Sequence, residues 1–292
     1  MDEQVRNQVM DQIEARQVSL DLEAKGPEQV LAWALEKFGD RLAICSSFQV
    51  ESCALIDMAW RIDRSVRVFT IDTGRLPDET HDLVERMRER YGLAIEIFMP
   101  EHQVVQKMVS EHGTNLFYRD TNLRLLCCQV RKVLPLKRAL ANYDAWVTGL
   151  RRDQSATRSE VRKLEIDDLH GGIVKLNPLA DWTEREVWDY VRRHDVPYNA
   201  LYDRGYRSIG CAPCTRPVPE GAGARSGRWW WETDALKECG MHCAVESGGF
   251  QRQLSELLGV NGHNVQPPDD AVHSLEQLAE LLGINGHNRK GS

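Results

Sequence analysis

LAICSSFQVESCALIDMAWRI, residues 42–62, reads as strand, polar turn and helix. Leu42-Ala43-Ile44-Cys45 is a short apolar run that predicts a buried strand. Ser46-Ser47-Phe48-Gln49-Val50-Glu51-Ser52 follows and opens a helix reaching about Ile62. A strand that turns into a helix this way aims backbone N–H groups and a helix dipole at an anion. An ordinary serine N-cap would leave the same local signature, so the loop alone is a weak signal.

The pattern repeats outward from this unit. Val66–Ile71 predicts a second strand, Pro77–Tyr91 a helix and Ala94–Phe98 a third strand. Such alternation predicts an α/β fold, a mostly parallel sheet with helices on both faces. Asp72-Thr73-Gly74-Arg75 then falls at a strand's carboxyl end, where open sheets of this class bind ligands. Glu101–Glu111 predicts a helix, as does Asn122–Ala141, with Pro135 expected to kink or split the latter. Ala145–Gly149 reads as a strand running into Leu150-Arg151-Arg152-Asp153-Gln154-Ser155, whose paired arginines suit phosphate or sulfate recognition. Ile173–Leu176 is a short strand, and Thr183 with Glu186 forms a capping-box pattern opening a helix to Arg193. Upstream, residues 2–25 and 27–38 have helical spacing, separated by Gly26-Pro27.

The 292-residue chain has a net charge of −7, which argues against a general nucleic-acid binder. Its charge is unevenly distributed. Residues 119–163 hold eleven Lys or Arg against four Asp or Glu, a local basic cluster suited to a small anionic substrate. No apolar run is long enough for a membrane span, and MDEQVRNQVMDQIEARQ lacks the apolar core of a secretory signal. A cytoplasmic protein is expected, its eight cysteines kept as thiols or ligands.

Four of those cysteines form two close pairs: Cys127-Cys128 in LRLLCCQVRK, and Cys211 with Cys214 in IGCAPCTRP. The second pair lies in a Gly-, Pro- and Arg-rich stretch, residues 204–228, too irregular for core and suited to a site-forming loop. Zinc usually takes spaced knuckles, and neighbouring helical cysteines point about 100° apart, a poor match to one tetrahedral ion. A cubane cluster accepts adjacent ligands more easily, so iron-sulfur is favoured. Further on, KECGMHC offers Cys239 as a nucleophile, with Lys237 and His242 nearby in sequence to favour its thiolate. Residues 253–264, QLSELLGVNGHN, recur as QLAELLGINGHN at 277–288. This duplication predicts a helical tail whose Leu-Leu stripe makes a packing or homo-oligomer contact. His263 and His287 are weaker metal candidates, because Asn-Gly-His-Asn is also a common helix stop.

These stretches together resemble the assimilatory adenylyl-sulfate (APS) reductases, the iron-sulfur branch of the APS/PAPS reductase family. The resemblance spans about Leu42 to His242 through SSFQVES, TIDTGRLPDET, CCQVRKVLPLKRAL, TGLRRDQSATR, NPLADWTEREVWDY, PYNALYDRGYRSIGCAPCTRPV, GRWWWE and KECGMH. It implies an ATP-pyrophosphatase-like fold (adenine nucleotide alpha hydrolase-like). It also implies that Cys127, Cys128, Cys211 and Cys214 hold one 4Fe-4S cluster, which favours APS over PAPS. Cys239 corresponds to the family nucleophile, with Met241 standing where Leu is usual, and Lys132 to a lysine placed between cluster and substrate. Ser46, Ser47, Phe48 and Gln49 would hold the nucleotide with Asp72, Thr73, Gly74 and Arg75, while Arg151, Arg225 and Arg228 would face the phosphosulfate.

The implied reaction yields sulfite and AMP, with external thioredoxin or glutaredoxin as reductant, since the tail is too short for a thioredoxin fold and lacks a C-x-x-C. The expected organisation is a helical segment over residues 1–40, the catalytic α/β domain over 41–243 and the repeated tail over 244–292. Cys243, four residues past the nucleophile, is expected to be a passive thiol. PAPS reduction, or use of both nucleotides, is the rival enzyme reading. A nucleotide-activating pyrophosphatase is disfavoured by the missing Gly in SSFQVES, and a non-catalytic metal sensor would make Cys239 dispensable.

Overall fold

A computed structural model describes Met10, residues 12–232 and 237–242, Leu254 and Leu257. Leu42–Cys45 forms β1 and Val50–Ile62 forms α3, as the first apolar run and polar turn predict. Arg67–Ile71 (β2), Asp78–Tyr91 (α4) and Ile95–Phe98 (β3) complete the alternation. Ala145–Val147 is β4, Leu164–Asp167 β5 and Ile173–Leu176 β6, and the six strands lie in the order β3-β2-β1-β4-β6-β5. β1 pairs in parallel with β2 and β4, so the strand order reverses beside β1. A crevice at the carboxyl ends of the strands, at such a reversal, is where this class of sheet binds ligands.

The sheet departs from the sequence reading at one edge. β5 is absent from that reading and pairs antiparallel with β6, Ile166 opposite Val174. Leu-Glu-Ile-Asp has only two apolar residues, where the equally short β1 and β6 have three or more, and the hairpin with β6 supplies the missing reason to be extended.

Chain contacts divide the molecule into two compact units, residues 1–99 with 139–237 and residues 100–138 with 238–292. The first unit holds the sheet. Its core joins Leu42, Ile44, Val68 and Val147 from the strands with Leu55, Ile56 and Met58 of α3, Leu83 and Met87 of α4, and Val30, Leu31 and Ala34 of α2 (Pro27–Phe38). Glu184–Arg193, α8, begins at the expected capping box: Thr183 Oγ1 accepts from Glu186 N at 3.2 Å, and Glu186 Oε2 accepts from Thr183 N at 2.7 Å. Of the helix expected over residues 2–25, Gln12–Glu23 is α1, and residues 2–9 and 11 lie outside the described residues. Lys163, 1% exposed, ties the end of α1 down by donating to Glu23 O and to Asp181 Oδ2 at 2.7 Å.

The second unit carries α5 (His102–His112), α6 (Thr121–Cys128) and, as far as Arg138, α7 (Leu134–Leu140). Asp120 caps α6 by accepting from Leu123 N at 3.0 Å. Between α6 and α7 the chain widens into a π-helical turn, Gln129–Val133. Pro135 has no N–H to offer the carbonyl four residues back, and its ring crowds that carbonyl, so the preceding turn opens instead of the helix breaking. The repeated tail lies outside the described residues except for Leu254 and Leu257, both helical and buried, with Lys107 Nζ donating to Leu257 O at 2.7 Å. Among the described residues no helix is long and apolar enough to cross a membrane.

One buried acid ties the first unit's stability to pH. Asp57 is 1% exposed; burial alone would raise its pKa, but bonds from Arg61, Tyr190 and Tyr91 outweigh that and hold it below the usual carboxylate value. A depressed folded pKa contributes stability above the unfolded value of about 4, and that stability is lost as pH falls through the lower folded value. Asp57→Asn should therefore cost about 2 kcal/mol in urea unfolding at pH 7. The gap to wild type should close as the pH is taken below about 4.

Candidate active site

The loop after β1 is braced from several sides. Ser46 Oγ accepts from Phe48 N at 3.1 Å and donates to Ser52 Oγ at 3.2 Å, while Ser52 Oγ donates to Gln49 O at 3.0 Å. Gln49 Nε2 donates to Ser47 Oγ at 3.3 Å, and Gln49 Oε1 accepts from Ile209 N at 2.8 Å. Phe48 is fully buried at φ +52°, a left-handed conformation that non-glycine residues seldom adopt. Neither serine is the N-cap of α3, a place taken by Gln49. Strain held by this much bracing is typical of functional loops.

The loop after β2 joins the second cysteine pair. Asp72 Oδ1 accepts from Gly74 N at 2.8 Å, with Gly74 at φ +66°, and Thr73 Oγ1 accepts from Arg75 N at 3.2 Å. Thr73 Oγ1 also lies 3.3 Å from Cys211 Sγ, and Arg75 O accepts from Ala212 N at 2.8 Å. Cys214 N donates to Cys211 O at 2.9 Å, closing the knuckle. Trp229 N donates to Cys214 O at 3.2 Å, and Thr215 bridges Arg228 in antiparallel fashion. Arg228, 5% exposed, stacks its guanidinium 4.7 Å over Trp229, and a side chain at Gly210 would collide with it. Arg225 Nη2 donates to Lys237 O at 2.5 Å.

The arginines after β4 have protein partners. Arg151 donates from Nε at 3.1 Å and Nη2 at 3.0 Å to Glu51 Oε1, and pairs with Asp153 through Nη1. Arg152 donates to Val161 O at 2.8 Å and to Glu23 Oε2 at 2.6 Å. Glu51, in the first turn of α3, is a partner of Arg151 that sequence reasoning did not pair with it; it also accepts from Gln154 Nε2 at 3.0 Å. Its one signal is an acid opening the helix after a polar loop. Gly149 lets that turn approach, because a Cβ there would lie 2.9 Å from Glu51 Cβ.

In the second unit the structure assembles Cys127, Cys128, Lys132 and Cys239. Burial drives the Cys128 thiol well above its ordinary pKa; Lys132 and Arg124 oppose that rise, while Cys239 and Cys127 add to it. Cys239 is thus close enough to act electrostatically on Cys128, although 111 residues separate them in sequence. Cys239 is half-buried, and His242 lies in the same short segment; Cys243 falls outside the described residues. Arg124, buried to 1%, was also missed: its signal is one charge inside the apolar run LRLLCC.

All four paired cysteines are buried, and among the described residues no cysteine is in a disulfide. Each unit carries one pair, and among the described residues no three His, Cys, Asp or Glu side chains gather into a metal site. The donor set suits a soft, thiolate-ligated group, since buried thiols such as Cys128 resist ionisation unless a cation is supplied.

A mostly parallel sheet with a strand reversal, polar loops at its carboxyl edge and paired buried thiols describe an α/β protein of the ATP-pyrophosphatase-like fold. Residues 41–217 match the phosphoadenosine phosphosulfate reductase domain, and the chain belongs to that family. It is 48% identical over 223 residues to an adenosine 5'-phosphosulfate reductase of Pseudomonas aeruginosa, covering 75% of this chain and 82% of that one. The protein of that name from Geobacillus thermodenitrificans is 40% identical over 222 residues, covering 76% and 92%. Among solved structures, the phosphoadenylyl-sulfate (PAPS) reductase of Candida auris in its phosphate complex aligns with a TM-score of 0.61 at 28% identity, covering 72% of this chain and 98% of that one.

Gly149→Ala should push α3's first turn off the β4 loop and cost about 2 kcal/mol. A fall in the urea midpoint with an unchanged m-value is the expected reading; an unchanged midpoint would show that the turn gives way freely.

Proposed function

We propose that the protein reduces adenylyl sulfate to sulfite and AMP at the expense of a dithiol such as reduced thioredoxin or glutaredoxin. The observation that carries the reading is the grouping of Cys239 with Cys127, Cys128 and Lys132 in one unit. The names of the P. aeruginosa and G. thermodenitrificans relatives support the substrate.

The Cys239 thiolate attacks the sulfur of the sulfuryl group, the S–O bond to the phosphate breaks, and AMP leaves with the electron pair. Cys239 then carries an S-sulfo group. A thiolate of the reductant attacks the Cys239 sulfur and expels sulfite, and its second thiol resolves the mixed disulfide, so two electrons pass from dithiol to sulfur. Attack of an anion on an anion needs cations at the substrate oxygens, a role for Lys132, Arg225 and Arg228. Ser46, Ser47, Phe48 and Gln49, with Asp72, Thr73, Gly74 and Arg75, hold the nucleotide at the sheet edge. Arg151 acts from one step back, through Glu51. Cys127, Cys128, Cys211 and Cys214 are the residues that would hold one 4Fe-4S cluster. When bound, it supplies structure and an electrostatic setting, not electrons for the reaction.

The test is anaerobic sulfite release from APS and from PAPS with reduced thioredoxin, beside the Cys239→Ser variant. Preference for APS is expected, with at least about a thousandfold loss in the variant. Equal use of both nucleotides would move the reading to dual specificity. An active Cys239→Ser protein would remove the nucleophile, and no sulfite from either nucleotide would sink the reductase reading.

A further inference from the structure

Arg124 is a permanent charge placed where an apolar side chain would cost less. It sits on α6 at 1% exposure, and a guanidinium cannot shed its charge on burial. Desolvating it costs several kcal/mol unless hydrogen bonds compensate. Leucine or methionine would fill the same volume without that cost.

One of its bonds shows what the charge secures. Arg124 Nη1 donates to the carbonyl oxygen of Glu238 at 2.5 Å, joining positions 114 residues apart in the chain. Glu238 immediately precedes Cys239, so fixing this carbonyl fixes the peptide plane that carries the Cys239 nitrogen. The segment 237–242 forms neither helix nor strand, and Gly240 turns the chain at φ +85°. With no ladder of its own to hold it, the segment relies on tethers from other residues. Arg124 is also one helical turn before Cys128, on the face of α6 that carries that thiol.

We infer that Arg124 is a positioning residue: by gripping the Glu238 carbonyl it holds the Cys239 thiol beside the Cys127–Cys128 pair. The catalytic consequence rests on the reading of Cys239 as nucleophile; the tether itself does not. Losing it frees Cys239 to swing outward, which lowers the rate of attack and leaves ground-state nucleotide binding in place.

The experiment uses the full chain as wild type, Arg124→Lys and Arg124→Gln. Peptide-resolved alkylation by iodoacetamide is timed at Cys239, with fully buried Cys53 as internal reference, and kcat and KM are measured with APS. Alkylation of Cys239 should rise about fivefold or more with Cys53 unchanged, and kcat should fall about tenfold with KM within about twofold. Lysine should restore part of what glutamine loses, since it keeps one cationic donor. Unchanged alkylation of Cys239 overturns the proposal, as does faster alkylation with unchanged kcat. Parallel acceleration of Cys53 in both variants also overturns it, marking Arg124 as core support. If the wild type releases no sulfite, the reductase reading falls while the labelling still decides the tether.

Discussion

Parallel pairing of β1 with both β2 and β4 is the constraint on which the cluster of polar loops at the sheet edge depends. The registers Cys45 opposite Phe69 and Ile44 opposite Val147 bring the carboxyl ends of three strands to one edge. Every polar loop that follows those strands must then emerge together, since a parallel strand cannot return its loop to the other end. The serine loop, the Asp72–Arg75 turn and the Leu150–Gln154 segment share an edge for that reason. Ala212 and Cys211 join it through Arg75 and Thr73.

Charge burial is the second organising effect. Arg151, 4% exposed, is affordable because Glu51 and Asp153 neutralise it and Gly149 leaves room for the turn that carries Glu51. Arg228 lies in a slot left open by Gly210, over the face of Trp229. In both cases a glycine supplies space and a rigid partner supplies orientation, so the cation holds a defined direction.

The cysteine helix shows a different solution. Pro135 would break a regular helix, yet the chain continues from α6 to α7 through the π turn Gln129–Val133. Lys132 lies within that turn, so its direction relative to Cys128 is set by a widened backbone and not by ordinary helical spacing. A helical wheel drawn through residues 122–141 would place it wrongly.

Much of this architecture was legible in the chain, for reasons that can be named. Alternating apolar runs and amphipathic stretches specify β1, α3, β2, α4 and β3 because burial acts on local periodicity, and Thr183 with Glu186 announces a helix start because the capping bonds close within three residues. The paired cysteines and KECGMH likewise stand out as motifs. What the sequence by itself determined was therefore the order of elements, the fold class and the residue types available for chemistry. Only the tertiary structure decided their partners: β5 as an antiparallel edge, Arg151 against Glu51, Cys239 near Cys128, and Arg124 on the carbonyl of Glu238. Those contacts join residues from 6 to 114 positions apart, and no periodic signal records which group a side chain will meet once the chain has folded.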